Sequence, residues 1–279
     1  MAGVKLLVQL SDTHIRLPGQ RAYRRVDTSA FLARAIAAVL ALPQAPAAVL
    51  VSGDLTDFGR AAEYAQLRAL LAPLACPVYL MPGNHDDRDE LRRAFPEHHW
   101  MRSSGDAFVQ YAVDLGGIRL VAVDTTVSKA PHGELGPAQL AWLDAALAED
   151  RATPTLVAMH HPPFDTFIGH MDEVGVQVGT RELAAVIARH PQVERIICGH
   201  LHRSIQTRFA GTIAMTAPST AHAVAFDLAP DAASEFAMEP PGFLVHAWSG
   251  TARRVVSHVV FSGEFDGPYP FHDEGGLID

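Results

Sequence analysis

The sequence predicts an α/β fold with much parallel strand pairing in the first two-thirds of the chain. Short apolar, β-branched runs alternate there with segments whose apolar residues recur at helical spacing, a pattern typical of strand–helix–strand units. The last third is richer in strand-like runs. Predicted strands cover residues 6–10, 49–51, 78–81, 118–124, 155–159, 195–198, 212–216, 243–247 and 255–261, and predicted helices cover residues 30–42, 61–71, 139–148 and 182–188.

The length and composition fit one globular domain over residues 1–279. The chain is 48% hydrophobic and 19% charged, which is ample to bury a continuous core. No apolar run reaches the roughly 18 residues that a membrane span needs. Residues 4–10 are too short for a secretory signal and are interpreted as a buried strand, so we expect a cytoplasmic protein. The composition shift at about 219–242, rich in Ala and Pro, predicts a cap, and residues 263–279 form a predicted tail.

Charge and cysteine usage restrict the class of partner. The formal net charge of −9 disfavours a nucleic-acid polymer, because such binding depends on Lys and Arg contacts to phosphates. The two cysteines, Cys76 and Cys198, form no C-x-x-C pair and are more typical of small core residues than of ligands. This usage fits a reducing compartment. We therefore expect neither a nucleic-acid polymer nor a membrane as a partner.

Five short polar motifs each follow a predicted strand, at the point where the strand ends in a loop. In open α/β sheets ligands bind outside the carboxyl ends of the strands, so these loops should converge on one site. Taken singly, each motif is ambiguous, because Gly-Asp and Gly-Asn are common in turns and adjacent histidines can be one core residue beside one solvated residue. The motifs are Asp12-Thr13-His14, Gly53-Asp54, Gly83-Asn84-His85-Asp86, His160-His161 and Gly199-His200-Leu201-His202.

Taken together and in this order, the motifs resemble the signature of the calcineurin-like metallophosphoesterases, with no substitution at a ligand position. The resemblance implies a four-layer αββα sandwich with a small cap and a dinuclear metal centre at one edge of the sheets. Two cations roughly 3.5–4 Å apart need a bridging carboxylate to offset their repulsion. Imidazole and carboxylate ligands suit Fe, Mn, Zn or Co, with Fe and Mn favoured. The motifs contain no cysteine, so they lack the thiolate ligands that would indicate a closed structural zinc site.

The resemblance assigns a role to each motif residue. Asp54 should bridge the two ions together with a hydroxide. In the adjacent pair the second histidine is the expected ligand, so His160 should pack beside the site or support a ligand. The implied ligands are Asp12, His14 and His202 for one ion and Asn84, His161 and His200 for the other.

The expected reaction is in-line attack of the metal-bound hydroxide on phosphorus, without a covalent intermediate. His85 is expected to face the phosphate and donate to the leaving oxygen, and Asp86 is expected to orient the His85 ring. Asn84, His85 and His222 are the expected substrate contacts.

Over nearly its whole length the chain is similar to bacterial glycerophosphodiesterases and class III cyclic-nucleotide phosphodiesterases. The residues flanking the metal motifs carry this similarity, at 10–14, 51–54, 80–87, 159–163, 197–200 and 267–269. It implies hydrolysis of small phosphodiesters, either cyclic nucleotides such as cAMP or glycerophosphodiesters. It also implies a homo-oligomer, a dimer or larger, with the cap and the tail as contacts.

The metal motifs contain no arginine, which favours a diester substrate over a monoester. A monoester dianion usually attracts bidentate Arg contacts, and no Arg lies within the metal motifs, although Arg16, Arg21, Arg24 and Arg25 follow the first one. The alternatives that stay open are a phosphomonoesterase of the same fold and a non-catalytic binding module.

Overall fold

A computed structural model of the protein describes residues 3–102, 105, 107–251 and 254–278. Residue 279 of the predicted tail lies outside this part of the chain. The strands are β1 (Lys5–Leu10), β2 (Ala48–Ser52), β3 (Val78–Met81), β4 (Tyr111–Asp114), β5 (Arg119–Ala122), β6 (Gly133–Glu134), β7 (Thr155–Ala158), β8 (Val176–Val178), β9 (Val193–Cys198), β10 (Gln206–Phe209), β11 (Thr212–Thr216), β12 (Ala223–Val224), β13 (Phe236–Ala237), β14 (Gly242–Ser249), β15 (Arg254–Phe261), β16 (His272–Asp273) and β17 (Gly276–Leu277). The α-helices are α1 (Thr28–Leu40), α2 (Ala61–Leu71), α3 (Arg88–Ala94), α4 (Pro137–Ala148), α5 (Gly169–Asp172) and α6 (Thr180–Ala188), with a 3₁₀ helix at His99–Arg102.

Two mixed sheets form the centre of the fold. The first has the order β15-β14-β1-β2-β3, and the second has the order β10-β11-β9-β7-β5-β4. Parallel pairing joins β1, β2 and β3 in the first sheet and β5, β7, β9 and β11 in the second. Antiparallel strands occupy three of the four edges, at β15, β10 and β4, as is common in large α/β sheets, while the parallel strand β3 forms the fourth edge.

The two faces of the second sheet pack against different neighbours. Leu120 and Ala122 belong to the core cluster that also contains residues of β1, β2, α1 and α2. Val121 and Val123 belong to a second cluster with Leu143 of α4 and residues of α6. Because successive side chains of a strand point to opposite faces, the sheet is covered on both sides. The layers are therefore helices, sheet, sheet and helices, which confirms the α/β sandwich.

All nine predicted strands and all four predicted helices are present. The prediction missed several short elements, among them the edge strand β4 and the helix α3. Helix α3 is mostly charged and shows no apolar stripe, but Asp87 caps it by accepting from the backbone N–H groups of Asp89 and Glu90. Both cysteines are free. No helix in the described part of the chain has the length and apolar character that crossing a membrane requires.

The fold brings the five polar motifs to one end of both sheets. They directly follow β1, β2, β3, β7 and β9, whose carboxyl ends all lie at this end because these strands are parallel within each sheet. The segment at 219–242 contributes the short β12–β13 pair, and its residues Val224 and Phe236 line the cavity next to the motifs. The expected convergence of the motifs is confirmed.

Candidate metal centre

Five of the motif residues have a strained backbone conformation. Asp12, His14, Asp54, His200 and His202 all have positive φ, between 42° and 70°. Such conformations are uncommon for residues other than glycine and tend to cluster at functional sites, where the surrounding structure holds them.

Backbone contacts between the loops hold this strained arrangement. The amide of Asp12 donates to the Gly53 carbonyl at 3.1 Å, and the amide of His14 donates to the Asp54 carbonyl at 2.9 Å. Position 83 has room only for glycine, because a Cβ there would lie 2.2 Å from the Asp54 amide nitrogen. The loops after β1, β2 and β3 therefore pack as one unit.

The first group of metal-binding side chains brings together Asp12, His14, Asp54 and His202, all buried. Nε2 of His14 lies 3.1 Å from Nε2 of His202 and 3.5 Å from Oδ2 of Asp54. Nδ1 of His202 lies 3.1 Å from the His222 carbonyl, which can only accept a hydrogen bond, so Nδ1 carries the proton. The Nε2 lone pair of His202 is then directed into the group. This is the set that the sequence predicted for one ion.

The second group contains His160, His161 and His200, with Asn84 beside it. Nδ1 of His160 donates to the Ser52 carbonyl at 2.9 Å. Its Nε2 lies 3.2 Å from Oδ1 of Asn84 and 3.4 Å from Oδ1 of Asp54. His160 thus directs Nε2 at the predicted ligands, and a metal ion that binds there would displace the proton of this nitrogen.

Both ring nitrogens of His161 have hydrogen-bond partners. Its Nε2 donates to the Pro131 carbonyl at 3.1 Å, and its Nδ1 lies 2.8 Å from the Thr125 hydroxyl, from which it accepts. These contacts favour His160 over His161 as the ligand, whereas the sequence predicted His161. Strand alternation gives a reason, because Met159 packs in the outer cluster with α4 and α6 and His160 then points to the inner face, towards Asp54.

Asp54 lies between the two groups. Its Oδ2 faces His14 of the first group, and its Oδ1 faces His160 of the second, at 3.5 Å and 3.4 Å. The backbone amide of His85 also donates to Oδ1 at 3.0 Å, which fixes the carboxylate plane. A carboxylate in this position can contact both groups with separate oxygens.

The electrostatics of the site favour added positive charge. Although burial alone would favour the neutral form of Asp54, the charges of His160 and His85 hold the pKa of Asp54 well below its ordinary range. Burial opposes protonation of His160, but the Asp54 carboxylate outweighs it and raises the pKa of His160 to about 9. Burial, reinforced by the charge on His160, lowers the pKa of His200 to about 3. An ionised carboxylate and a neutral imidazole are the forms that bind metal ions.

The residues present fit a metal centre. Nε2 of His200 is buried and has no hydrogen-bond partner among the described residues, which is costly unless something binds it. Neither group contains a cysteine; the first combines imidazole with carboxylate oxygens, and the second has the side-chain oxygens of Asn84 and Asp54 beside its imidazoles. This donor set suits Mn, Fe, Zn or Co in an open site rather than a closed structural zinc site.

The hydrogen bonds of Asp86 differ from the expected ones. Its carboxylate accepts from the backbone amides of Leu55, Thr56 and Gly83 and from the Tyr64 hydroxyl, at 2.9 to 3.1 Å. Asp86 therefore joins the loops after β2 and β3 and makes no contact with the His85 ring. The expectation that Asp86 orients that ring is corrected.

Asp57 takes the role expected of Asp86. Nδ1 of His85 donates to the Asp57 carbonyl at 2.9 Å, and the Asp57 carboxylate lies 3.4 Å from Nδ1 of His14. A guanidinium nitrogen of Arg16 lies 3.1 Å from the other oxygen of the Asp57 carboxylate. Sequence reasoning missed Asp57, although its place three residues after Asp54 in the same loop was a usable signal. It also missed Thr125 and Pro131, which lie in a loop without a recognisable motif.

A cavity of about 410 Å³ opens beside the two groups and reaches the segment at 219–242. His222 is buried in its wall, with its ring centroid 4.5 Å from that of His202. Tyr23 and Phe236 lie next to His222, with ring centroids 5.2 and 5.4 Å away. His222 thus lies in the predicted pocket. Its expected contact with substrate stays a prediction.

Comparisons with known proteins agree with this architecture. Residues 6–204 match the calcineurin-like phosphoesterase family. The chain is 36% identical over 275 residues to a probable glycerophosphodiester phosphodiesterase of Arcobacter nitrofigilis, covering 98% of this chain and 100% of that protein. It is 36% identical over 274 residues to a probable cyclic nucleotide phosphodiesterase of Rhodopseudomonas palustris, covering 97% of each chain.

Solved structures support the fold. A dimetal phosphatase from Danio rerio superposes with a TM-score of 0.68 at 16% identity, covering 93% of this chain and 97% of that one. A purple acid phosphatase from yellow lupin gives a TM-score of 0.66 at 17% identity, covering 89% of this chain and 50% of that one. With the family match spanning most of its length, the chain belongs to the calcineurin-like phosphoesterases, a family of enzymes that hydrolyse phosphate esters.

Proposed function

We propose that the protein is a dinuclear-metal-dependent phosphodiesterase that hydrolyses small phosphodiesters. The observation that carries the proposal is the position of Asp54, whose two oxygens face two separate groups of histidines. A carboxylate shared in this way is what two neighbouring cations need to offset their repulsion. A site for one metal ion would need only one of the two groups of metal-binding side chains.

The proposed ligands follow the two groups, with His160 in place of His161. Asn84 offers its side-chain oxygen to the second ion, and Asp54 serves both. When bound, the two ions would lower the pKa of a water molecule and offset negative charge on the phosphoryl oxygens. Mn and Fe are the proposed metals, since the donors are imidazole and oxygen. The remaining ligands are Asp12, His14 and His202 for one ion and His160 and His200 for the other.

His85 is the proposed proton donor to the leaving alcohol. Because Nδ1 donates to the Asp57 carbonyl, Nε2 is the nitrogen left for the substrate. The side chain is 36% exposed and lines the cavity beside the metal-binding groups. Asp57 acts as a positioning residue, because it contacts both His85 and His14.

The lining of the cavity supports a diester substrate. No Arg or Lys is among the described residues that line it, and Arg88, which follows the Gly83–Asp86 motif, is already paired with Asp124, so neither observation favours the bidentate contacts that a monoester dianion attracts. Arg16 instead pairs with Asp57 and stacks on Phe58. A diester carries one negative charge fewer and needs fewer cationic contacts. The similar proteins include a probable glycerophosphodiester phosphodiesterase and a probable cyclic nucleotide phosphodiesterase, which both act on small diesters.

We also propose that the chain forms a homo-oligomer. Strand β15 is at an edge of its sheet and exposes Val256 and Val259. The tail exposes Phe265, Tyr269 and Phe271, which are 65%, 70% and 81% accessible. An exposed edge strand beside exposed aromatic side chains is typical of a protein–protein contact.

The experiment that tests the proposed centre replaces Asp54. We expect Asp54→Asn to lower the metal content of the purified protein and to reduce diester turnover by about 10²-fold or more, since a ligand shared by both ions is weakened. Asp114→Asn is the matched control, because Asp114 is an exposed carboxylate at the far edge of the second sheet. Near-native turnover of Asp54→Asn with full metal content would overturn the proposal.

A further inference from the structure

A second cavity, of about 420 Å³, meets the first at Asn84 and His85. These two residues line both cavities, whereas His14, Asp54, His200 and His202 line only the first. A phosphoryl group held at the metal-binding groups therefore has room for an organic substituent in each cavity. Each cavity is within the range of volumes that bind small molecules.

The walls of the two cavities differ in chemistry. The first is lined by aromatic and apolar side chains away from the metal-binding groups, including Tyr23 and Phe236, whose ring centroids are 5.1 Å apart. The second is lined mainly by charged and hydroxyl side chains, with Phe58, Ala107 and Val127 as its apolar members. The charged and hydroxyl residues are Asp86, Asp87, Arg88, Asp89, Thr126, Ser128 and Lys129. One side thus suits a flat or apolar group, and the other suits a group that carries hydroxyl or amine functions.

Strained residues that are not glycines also occur in both walls away from the metal-binding groups. Tyr23 has φ of +49° in the first cavity, and Lys129 has φ of +62° in the second. Lys129 is exposed and makes no ion pair with the described residues. Backbone strain of this kind persists where the surroundings hold it and is concentrated at ligand-binding positions.

From this geometry we infer that the substrate is an acyclic phosphodiester with two different alcohols, a flat one in the first cavity and a polar one in the second. This inference rests on the proposed phosphodiesterase function. Both ester oxygens of a 3′,5′-cyclic nucleotide belong to one ribose, so a cyclic substrate would occupy one cavity and leave the other filled with water. An acyclic diester has two independent arms and fills both.

Two phosphodiesters of adenosine test the inference. They carry the same base, and both are alkyl esters, so they differ mainly in whether the diester is cyclic. The acyclic compound is adenosine 5′-glyceryl phosphate, and the cyclic one is 3′,5′-cyclic AMP. With the manganese-loaded protein we expect kcat/KM for the acyclic compound to exceed that for cyclic AMP at least tenfold. We expect Lys129→Ala to lower the acyclic value at least fivefold, mainly through KM, and to change the cyclic value less. Lys5→Ala is the matched control, since Lys5 lies on β1 and donates to the Gly116 carbonyl.

Bis(4-nitrophenyl) phosphate separates the two ways in which the inference can fail. If this diester is hydrolysed but cyclic AMP is cleaved as efficiently as the acyclic compound, the inference is wrong and the proposed function stands. The same holds if neither adenosine diester is cleaved, or if Lys129→Ala lowers both values equally. If no diester is hydrolysed, the proposed function falls together with the inference.

Discussion

Nε2 of His160 lies 3.4 Å from Oδ1 of Asp54, and this contact joins the two sheets at the metal centre. His160 follows β7 of the second sheet, and Asp54 follows β2 of the first. Both ring nitrogens of the neighbouring His161 instead have hydrogen-bond partners, in Thr125 and Pro131. The proposed ligand of the His-His pair is therefore His160.

Replacing each histidine of the pair should give opposite results. We expect His160→Ala to lose one metal ion per chain and to lower diester turnover by about 10²-fold or more, as loss of a ligand exceeds the usual effect of an outer contact. His161→Ala should keep its metal and lose less than about tenfold, because only hydrogen bonds are removed. Metal analysis of the purified variants by mass spectrometry checks this. Loss of metal in His161→Ala alone would restore the original assignment.

His85→Ala should discriminate between leaving groups. A general acid contributes about 10²-fold or more when the departing alkoxide is a strong base, and far less when 4-nitrophenolate departs. We expect the variant to lose much more activity on a glycerophosphodiester than on bis(4-nitrophenyl) phosphate, with unchanged metal content. Steady-state rates on the two substrates give the ratio. Equal losses on both would show that His85 acts in binding and does not protonate the leaving oxygen.

The sequence predicted the fold and most of the centre because the informative residues follow strands. Five strands end in polar motifs, and parallel pairing brings those ends together within each sheet, while the packing of the two sheets joins the two sets. What it missed depends on side-chain direction. Asp57 and Asp86 lie in neighbouring loops, and only their hydrogen bonds show that Asp57 contacts His85 while Asp86 joins the loops. Edge strand β4 and charged helix α3 were missed because neither has a long apolar pattern.

Acid should destabilise the metal-free protein through His246. This histidine is buried between Gln9 and Ser257, and burial lowers its pKa from 6.5 to about 3. Between these values the unfolded chain binds a proton that the folded chain does not, so stability falls as the pH drops below 6.5. We expect His246→Gln to reduce the slope of unfolding free energy against pH by up to about 1.4 kcal/mol per pH unit. Urea denaturation from pH 4.5 to 7 measures it, and an unchanged slope would contradict the assignment.

The exposed aromatic side chains of the tail should hold the oligomer together. We expect a variant with Phe265, Tyr269 and Phe271 replaced by Ser to have a lower mass in solution than the unaltered protein, because apolar contacts between copies are lost. Light scattering coupled to gel filtration gives both masses. The metal content should not change, since the tail does not contain a ligand. An unaltered protein that is already a monomer would contradict the proposal.

The most direct test of the account is a manganese titration of metal-free protein with bis(4-nitrophenyl) phosphate and 4-nitrophenyl phosphate as parallel substrates. We expect diester turnover to be negligible without metal, to rise until about two ions are bound per chain, and to exceed monoester turnover throughout. Turnover that is complete with one ion would contradict the dinuclear centre built around Asp54. A preference for the monoester would contradict the substrate class that the cavity, free of Arg and Lys in its described lining, supports.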